Sequence, residues 1–142
     1  VKLCAGILLC AKDSGRCLFL LRDDARWDLP GGHAERYDRT ALDTALRELA
    51  EETGYGGSLA LARERMRVSW CPDLLLGHLW QSCKTRYTGV VGYVPREFVP
   101  RLDDEHIDAL WAHPGDAPGP LLPGVDFMLE WADSLQLLGD AS

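Results

Sequence analysis

The stretch from Thr40 to Gly54 most constrains what this chain can fold into, because a helix start, a periodic apolar stripe and a helix stop follow one another there. Thr40 and Asp43 have the spacing of a capping-box-like start, in which each side chain takes the other residue's backbone N–H. Gly54 is the residue type that ends helices. The spacing predicts a helix from about Ala41 to Thr53. At about 100° per residue from Ala41, the positions Leu42, Ala45, Leu46, Leu49 and Thr53 fall in an arc from about 40° to 140°. That arc is the face expected to meet a core.

The same arithmetic puts Glu51, Glu48 and Glu52 at about 280°, 340° and 20°, in one sector of about 100°. Glu52 lies between Ala41 and Ala45, on the edge of the apolar face. Arg47 is four residues before Glu51 and can pair with it, but nothing local neutralises Glu48 and Glu52. At about 5–6 Å and an effective dielectric near 20, each unscreened pair repels by roughly 3 kcal/mol. The helix C-terminus is also the wrong end for anions. A solvated acidic face is the plain alternative. The glycine turn at Gly31-Gly32 and the edge position of Glu52 favour a bound cation instead. Carboxylates suit oxygen-seeking Mg²⁺ or Mn²⁺, whereas zinc would want His or Cys nearby.

These residues carry a family resemblance. Arg47-Glu48-Leu49-Ala50-Glu51-Glu52-Thr53-Gly54-Tyr55, preceded by Leu29-Pro30-Gly31-Gly32-His33-Ala34-Glu35, resembles the signature of the Nudix hydrolases, the MutT-like pyrophosphohydrolases. That signature is G-x5-E-x7-R-E-U-x-E-E-x-G-U, with U bulky and apolar. There is one departure. Counting forward from Gly32, the first Glu of the pattern falls on Asp38; counting back from Arg47, it falls on Arg39. The turn thus holds one extra residue, and Asp38 is the stand-in for a glutamate that in the family braces the loop against the helix arginine.

The resemblance implies an α/β/α sandwich with a mixed β-sheet between helices. It also implies metal-dependent hydrolysis of a pyrophosphate bond in a nucleoside diphosphate linked to another group. Glu48, Glu51, Glu52 and the carbonyl of Gly31 would then hold Mg²⁺ (or Mn²⁺), with Gly32, Asp38, Arg47 and Gly54 shaping the motif. Glu35 would support the metal shell or fix the loop. The base that deprotonates the attacking water is either a metal-bound glutamate, Glu51 or Glu52, or a distant acid. In Asp103-Asp104-Glu105-His106 the choice for that acid is Glu105, with an ordinary acidic loop as the equal alternative. His106 is a second candidate base, although a loop histidine is more often a surface residue. Arg22, Arg26 and His33, all near the glycine turn, are candidate phosphate contacts. Trp27, Trp70, Trp80, Trp111 and Tyr87 are candidates to stack a base, each more readily read as core. The irregular turn alone favours a different class, a Nudix-like module that binds nucleotide without cleaving it. Homodimers are frequent in the family.

Composition sets the outer bounds. The chain has 142 residues, 46% apolar and 26% charged, enough for one globular domain and too few for two. No apolar run approaches the ~20 residues of a membrane span, and no signal-peptide pattern opens the sequence. The five cysteines make no metal spacing. Cys4 and Cys10 sit in an apolar run as reduced thiols, the habit of a cytoplasmic protein. A formal charge of −7 disfavours extended nucleic-acid binding but not a small phosphorylated ligand met through a metal.

Along the chain, Leu3 to Cys10 and Cys17 to Arg22 read as a hairpin of buried strands around Asp13-Ser14-Gly15. Leu59 to Trp70 and Leu74 to Lys84 read as a second strand pair, joined at Cys71-Pro72-Asp73. The stretch Tyr87 to Pro100 has no clear pattern. Ile107 to Ala112 reads as a short strand. A second helix is expected from Gly124, with Val125, Met128, Leu129, Ala132 and Leu135 as its apolar stripe.

Overall fold

The computed structural model describes residues 1–70 and 84–139. The expected strand at Leu74–Lys84, save its last residue, lies outside them, as do Cys71, Pro72, Asp73, Trp80 and Cys83. The elements in order are β1 (Lys2–Ala11), β2 (Cys17–Arg22), β3 (Trp27–Asp28), β4 (Gly31–His33), α1 (Ala41–Thr53), β5 (Ala60–Trp70), β6 (Thr85–Val94), β7 (His106–Ala112) and α2 (Val125–Ser134). A 3₁₀ turn at Pro114–Asp116 precedes α2.

β1 is the axis of the sheet. It is buried from Ala5 to Ala11, which explains its continuous apolar sequence: a strand covered on both faces has no reason to alternate. β1 turns into β2 as expected, with Gly15 at φ 73 donating to the Ala11 carbonyl. Cys10 and Cys17 face each other across the strands with their sulfurs 3.1 Å apart, and both are free thiols. The strand order is β3-β2-β1-β6-β5, with β4 also on β1 and β7 also on β2. β1 and β6 are parallel and the remaining pairings are antiparallel, so the sheet is mixed.

The partner expected of the 59–70 strand lies, save Lys84, outside the described residues. β5 pairs antiparallel with β6, from Ala60 opposite Tyr93 to Trp70 opposite Thr85. The stretch without a clear pattern is therefore largely a central strand. Its glycines make room: a Cβ on Gly89 would come 2.5 Å from Met128 Sδ, and one on Gly92 would come 2.7 Å from Ile7 Cδ1.

Two cores flank the sheet. Leu8, Phe19, Val91, Met66 and the α2 residues Val125, Met128 and Ala132 pack on one face. Ile7, Leu9, Leu18, Leu20 and Val90 pack against Ala45 and Leu49 of α1 on the other. This is the α/β/α sandwich. Leu135 does not belong to the α2 stripe; it is 46% exposed at the C-cap, where the helix has ended. No helix among the described residues is long and apolar enough to cross a membrane.

α1 occupies the expected residues. Its Thr40–Asp43 capping box is complete, and Gly54 caps it at φ 71. Its buried face is turned from the expected arc, however. Leu42 and Leu46 are only half-buried, while Thr44, Ala45, Leu49, Glu52 and Thr53 are inside. Glu52, Thr44 and Arg47 on this turned face make polar contacts to the segment before the helix.

Candidate functional site

The Gly31-Gly32 segment is a strand and not the turn its glycines suggest. β4 lies antiparallel to β1, with Gly31 opposite Gly6 and His33 opposite Cys4. At Gly31 glycine is required by closeness: a Cβ there would come 2.6 Å from the Ala5 carbonyl oxygen and 2.7 Å from Gly6 Cα, both backbone. On Gly32 it would come 2.7 Å from the Glu48 carboxyl. Ile7 N–H donates to Pro30 and Ala34 N–H to Leu3, so by antiparallel alternation Gly31 and His33 turn their backbone groups away from β1. α1 meets that bare edge. Gly31 N–H donates to Glu52 Oε1 at 3.1 Å and Oε2 at 3.2 Å. The His33 carbonyl accepts from Arg47 Nη2 at 2.9 Å. The Gly31 carbonyl shares this outward edge.

The reversal itself comes later, where Glu35 N–H donates to Asp38 Oδ2 and Asp38 N–H to the Glu35 carbonyl. The Glu35 side chain is exposed. Asp38 receives Arg47 Nη2 at 2.9 Å, Arg47 Nε at 3.2 Å and the Thr44 hydroxyl at 3.0 Å. The inserted residue therefore leaves this contact intact. These donors hold the Asp38 carboxyl down at about 2, the guanidinium foremost, and the Arg47 guanidinium is correspondingly raised. Arg47 also donates through Nη1 to Glu48 Oε1 at 3.0 Å and Glu51 Oε2 at 3.1 Å, and it lies over the Tyr37 ring. Glu48 thus has a local partner, which the helix spacing does not predict. Asp38 and the His33 carbonyl hold the guanidinium where its Nη1 reaches Glu48.

Glu52 is 1% exposed, well inside the edge expected of it. Burial pushes its carboxyl up to about 9, repulsion from Glu48, Asp103 and Asp28 adds to that, and the Gly31 N–H opposes it. Burial raises Glu48 as well. Glu51 is half-exposed. Glu48 and Glu51 rest on Arg47 and Glu52 on Gly31. The one group of donor atoms within 4.8 Å of each other among the described residues is Asp103, Glu105 and His106. His106 is not a surface loop residue: it opens β7, is 7% exposed, and contacts Asp103 Oδ1 through Nδ1 at 2.8 Å. Glu105 is exposed and adds to the negative potential at Glu48.

The phosphate candidates divide. Arg22 ends β2 opposite His106 and lies 3.5 Å from Asp24. Arg26 is tied to Asp24 at 2.7 Å. The His33 ring contacts Cys4 Sγ at 3.1 Å, and strand alternation points it away from the face where Gly32 abuts Glu48. Trp111 donates its Nε1–H to the Phe98 carbonyl, and Trp27 packs against the α2-side core.

Three residues escape the sequence reading. Thr44 is buried under Asp38. Asp28 has a carboxyl raised by burial, and its Oδ1 accepts Leu29 N–H. Phe127 is 53% exposed beside a cavity of about 400 Å³. A carboxyl inside an apolar strand run was the one available signal for Asp28.

The donor chemistry fits a hard divalent cation. The chain offers Glu48, Glu51, Glu52, Glu105 and an outward backbone carbonyl, all oxygen, and one of these carboxyls is buried at an energetic cost that a cation would relieve.

A family model described as NUDIX domain matches residues 2–135. The RNA pyrophosphohydrolase of Sphingopyxis alaskensis is 40% identical over 84 residues, covering 54% of this chain and 51% of that protein. The match therefore spans about half the length of that curated relative. Among solved structures, an Ap4A hydrolase binary complex from C. elegans aligns at TM-score 0.77 and 17% identity, over 96% of this chain and 98% of that one. RenU, a Nudix hydrolase from M. smegmatis, aligns at 0.74 and 19%, over 94% and 84%. The NUDIX domain of Shewanella oneidensis NrtR, complexed with ADP ribose, aligns at 0.72 and 18%, over 94% and 87%. At such identities the structural likeness establishes the fold, and the site must carry the chemistry.

Proposed function

The chain belongs to the NUDIX-domain family, and from that premise we propose that it is a single-domain, Mg²⁺- or Mn²⁺-dependent pyrophosphohydrolase of nucleotide substrates. The observation that carries this reading is Glu52, a carboxyl buried to 1% exposure on the Gly31 N–H and close enough to Glu48 to feel its charge. Glu48, Glu51, Glu52 and the Gly31 carbonyl would hold the metal. When bound, it would offset phosphoryl charge and lower the pKa of the attacking water. Arg47 and Asp38 position Glu48 and Glu51 by fixing the guanidinium between them. Glu51, Glu52 or Glu105 takes the proton from water.

The nucleobase goes to the 400 Å³ cavity beside α2, where Met66, Val68, Tyr87 and Phe127 offer apolar and aromatic surface and Asp28 a polar edge. Arg22, at the end of β2, is the phosphate contact best placed for this path. Free thiols at Cys4, Cys10 and Cys17 suit a reducing compartment such as the cytoplasm. The non-cleaving reading has the irregular turn as its one support, and in that turn Asp38 meets Arg47 at 2.9 Å, which favours the enzyme.

The test is a panel of nucleoside triphosphates, dinucleoside polyphosphates, ADP-ribose-like sugars and 5′-triphosphorylated RNA with Mg²⁺ or Mn²⁺, with products read by mass. Cleavage between two phosphorus atoms, silenced by chelation, is expected. Turnover of none of them under either metal would defeat the proposal.

A further inference from the structure

A second cavity, of about 400 Å³, separates the start of α1 from strands β5 and β6. Its lining includes Asp38 and Thr44 and shares Val68 and Tyr87 with the cavity given to the nucleobase, but it has none of Glu48, Glu51, Glu52, Glu105 or Gly31, and the function proposed above gives it no ligand. Arg67 is paired with Thr88 and Ser69 with Arg86 across β5 and β6. Strand alternation puts all four on one face, the two arginines as diagonal neighbours within reach of each other. The opposite wall brings Arg39 and Thr40 from the turn before α1.

Charge makes this groove unusual. The protein carries a formal −7, yet three arginines, Arg39, Arg67 and Arg86, line one cavity. Among the described residues none of the three has an ion-pair partner. The single carboxylate in the lining is Asp38, and it is engaged by Arg47, Thr44 and the Glu35 N–H. Among the described residues the nearest further acid is Asp43, whose Oδ2 is taken by the Arg39 and Thr40 N–H groups, so no described carboxylate pairs with the three guanidinium groups. Guanidinium forks match the oxygens of a phosphate group two at a time, and the hydroxyls of Thr40, Ser69 and Thr88 add neutral donors around it.

We propose that this groove is an accessory binding site for a phosphate group, held by Arg39, Arg67 and Arg86 and separate from the helical carboxylates. It takes a doubly charged phosphate, either the free inorganic anion or the terminal phosphate of a nucleotide. The proposal stands on the groove alone and holds whether or not the chain cleaves pyrophosphates.

The test uses the full chain in EDTA, where the metal-free carboxylates repel anions and leave the groove as the favourable site. Inorganic phosphate, pyrophosphate and adenosine monophosphate are titrated separately by calorimetry and ³¹P line broadening. Saturable binding is expected. Arg67→Ser and Arg86→Ser should each weaken it about tenfold, the worth of a charge-assisted hydrogen bond. Arg16→Ser, whose side chain pairs with Glu97 elsewhere, should leave it unchanged. Tighter binding of the inorganic anions assigns the site to free phosphate, and tighter binding of the monophosphate assigns it to a nucleotide. Arg67 and Arg86 are exposed, so both variants should fold, with circular dichroism as the check. Absence of saturable binding, or binding that both serine variants retain in full, overturns the proposal.

Discussion

Glu52→Gln is expected to lower metal-dependent hydrolysis by about three orders of magnitude, the scale of losing a charged group that acts in the transition state, and to raise the metal-free melting temperature. The two effects have one cause. Glu52 is buried with its carboxyl pushed up to about 9, so the folded protein prefers it protonated. An acid raised in the folded state adds stability that is complete below its unfolded pKa and is lost as pH climbs through the folded one. Without metal, stability should therefore decline from about pH 4.5 to about pH 9. Gln cannot ionise, so the variant should show a flatter profile and, at pH 8.5 in EDTA, melt at least about 5 °C higher. Thermal melts with and without EDTA across that range check this, beside initial rates in Mg²⁺. Asp38 works in the other direction: its carboxyl sits at about 2, so its contribution is present above about pH 4 and fails only on acidification through 2.

The second large effect is on the fold. Gly31→Ala places a methyl 2.6 Å from the Ala5 carbonyl oxygen and 2.7 Å from Gly6 Cα. Both are backbone, in the strand that organises the whole sheet, and neither can swing aside. The expected cost is about 3 kcal/mol, the upper range of ordinary overpacking, or a fall of roughly 10 °C in melting temperature for a chain of this size. Activity should fall with it, because β4 presents the N–H that holds Glu52 and the carbonyl that holds Arg47. Gly32→Ala is the control. Its methyl meets the end of the Glu48 side chain, which can turn, so stability should stay within about 2 °C of wild type. Equal melting temperatures for Gly31→Ala and the wild type would show that β4 does not lie against β1 this closely.

What the sequence made legible follows the range of each signal. α1 was readable to the residue, because Thr40, Asp43 and Gly54 act within a turn of where they stand. The buried hairpin strands and α2 were readable from uninterrupted or periodic apolar residues. β6 was not, since Gly89 and Gly92 answer to Met128 and Ile7 on other elements, and no local pattern encodes that. Gly31 and Gly32 misled in the same way: they look like a turn and serve close approach. The carboxylates were visible as a group, but their states were not. The depth of Glu52 depends on how far α1 rotates, and Thr44 and Asp38 help to set that. The Arg47–Glu48 contact depends on a carbonyl fourteen residues upstream. His106 opens β7, one residue before the apolar run Ile107–Ala112 that marks the strand in the sequence, so the run alone leaves it in the loop.

The most direct measurement is calorimetric titration of Mn²⁺ into the metal-free protein at pH 7.5, in two buffers of different protonation enthalpy. If the cation displaces a proton from Glu52, the wild type should release close to one proton per ion bound, and Glu52→Gln should release none while binding more weakly. A wild type that takes up manganese without releasing protons, or a variant that matches it in both affinity and proton count, would contradict the account.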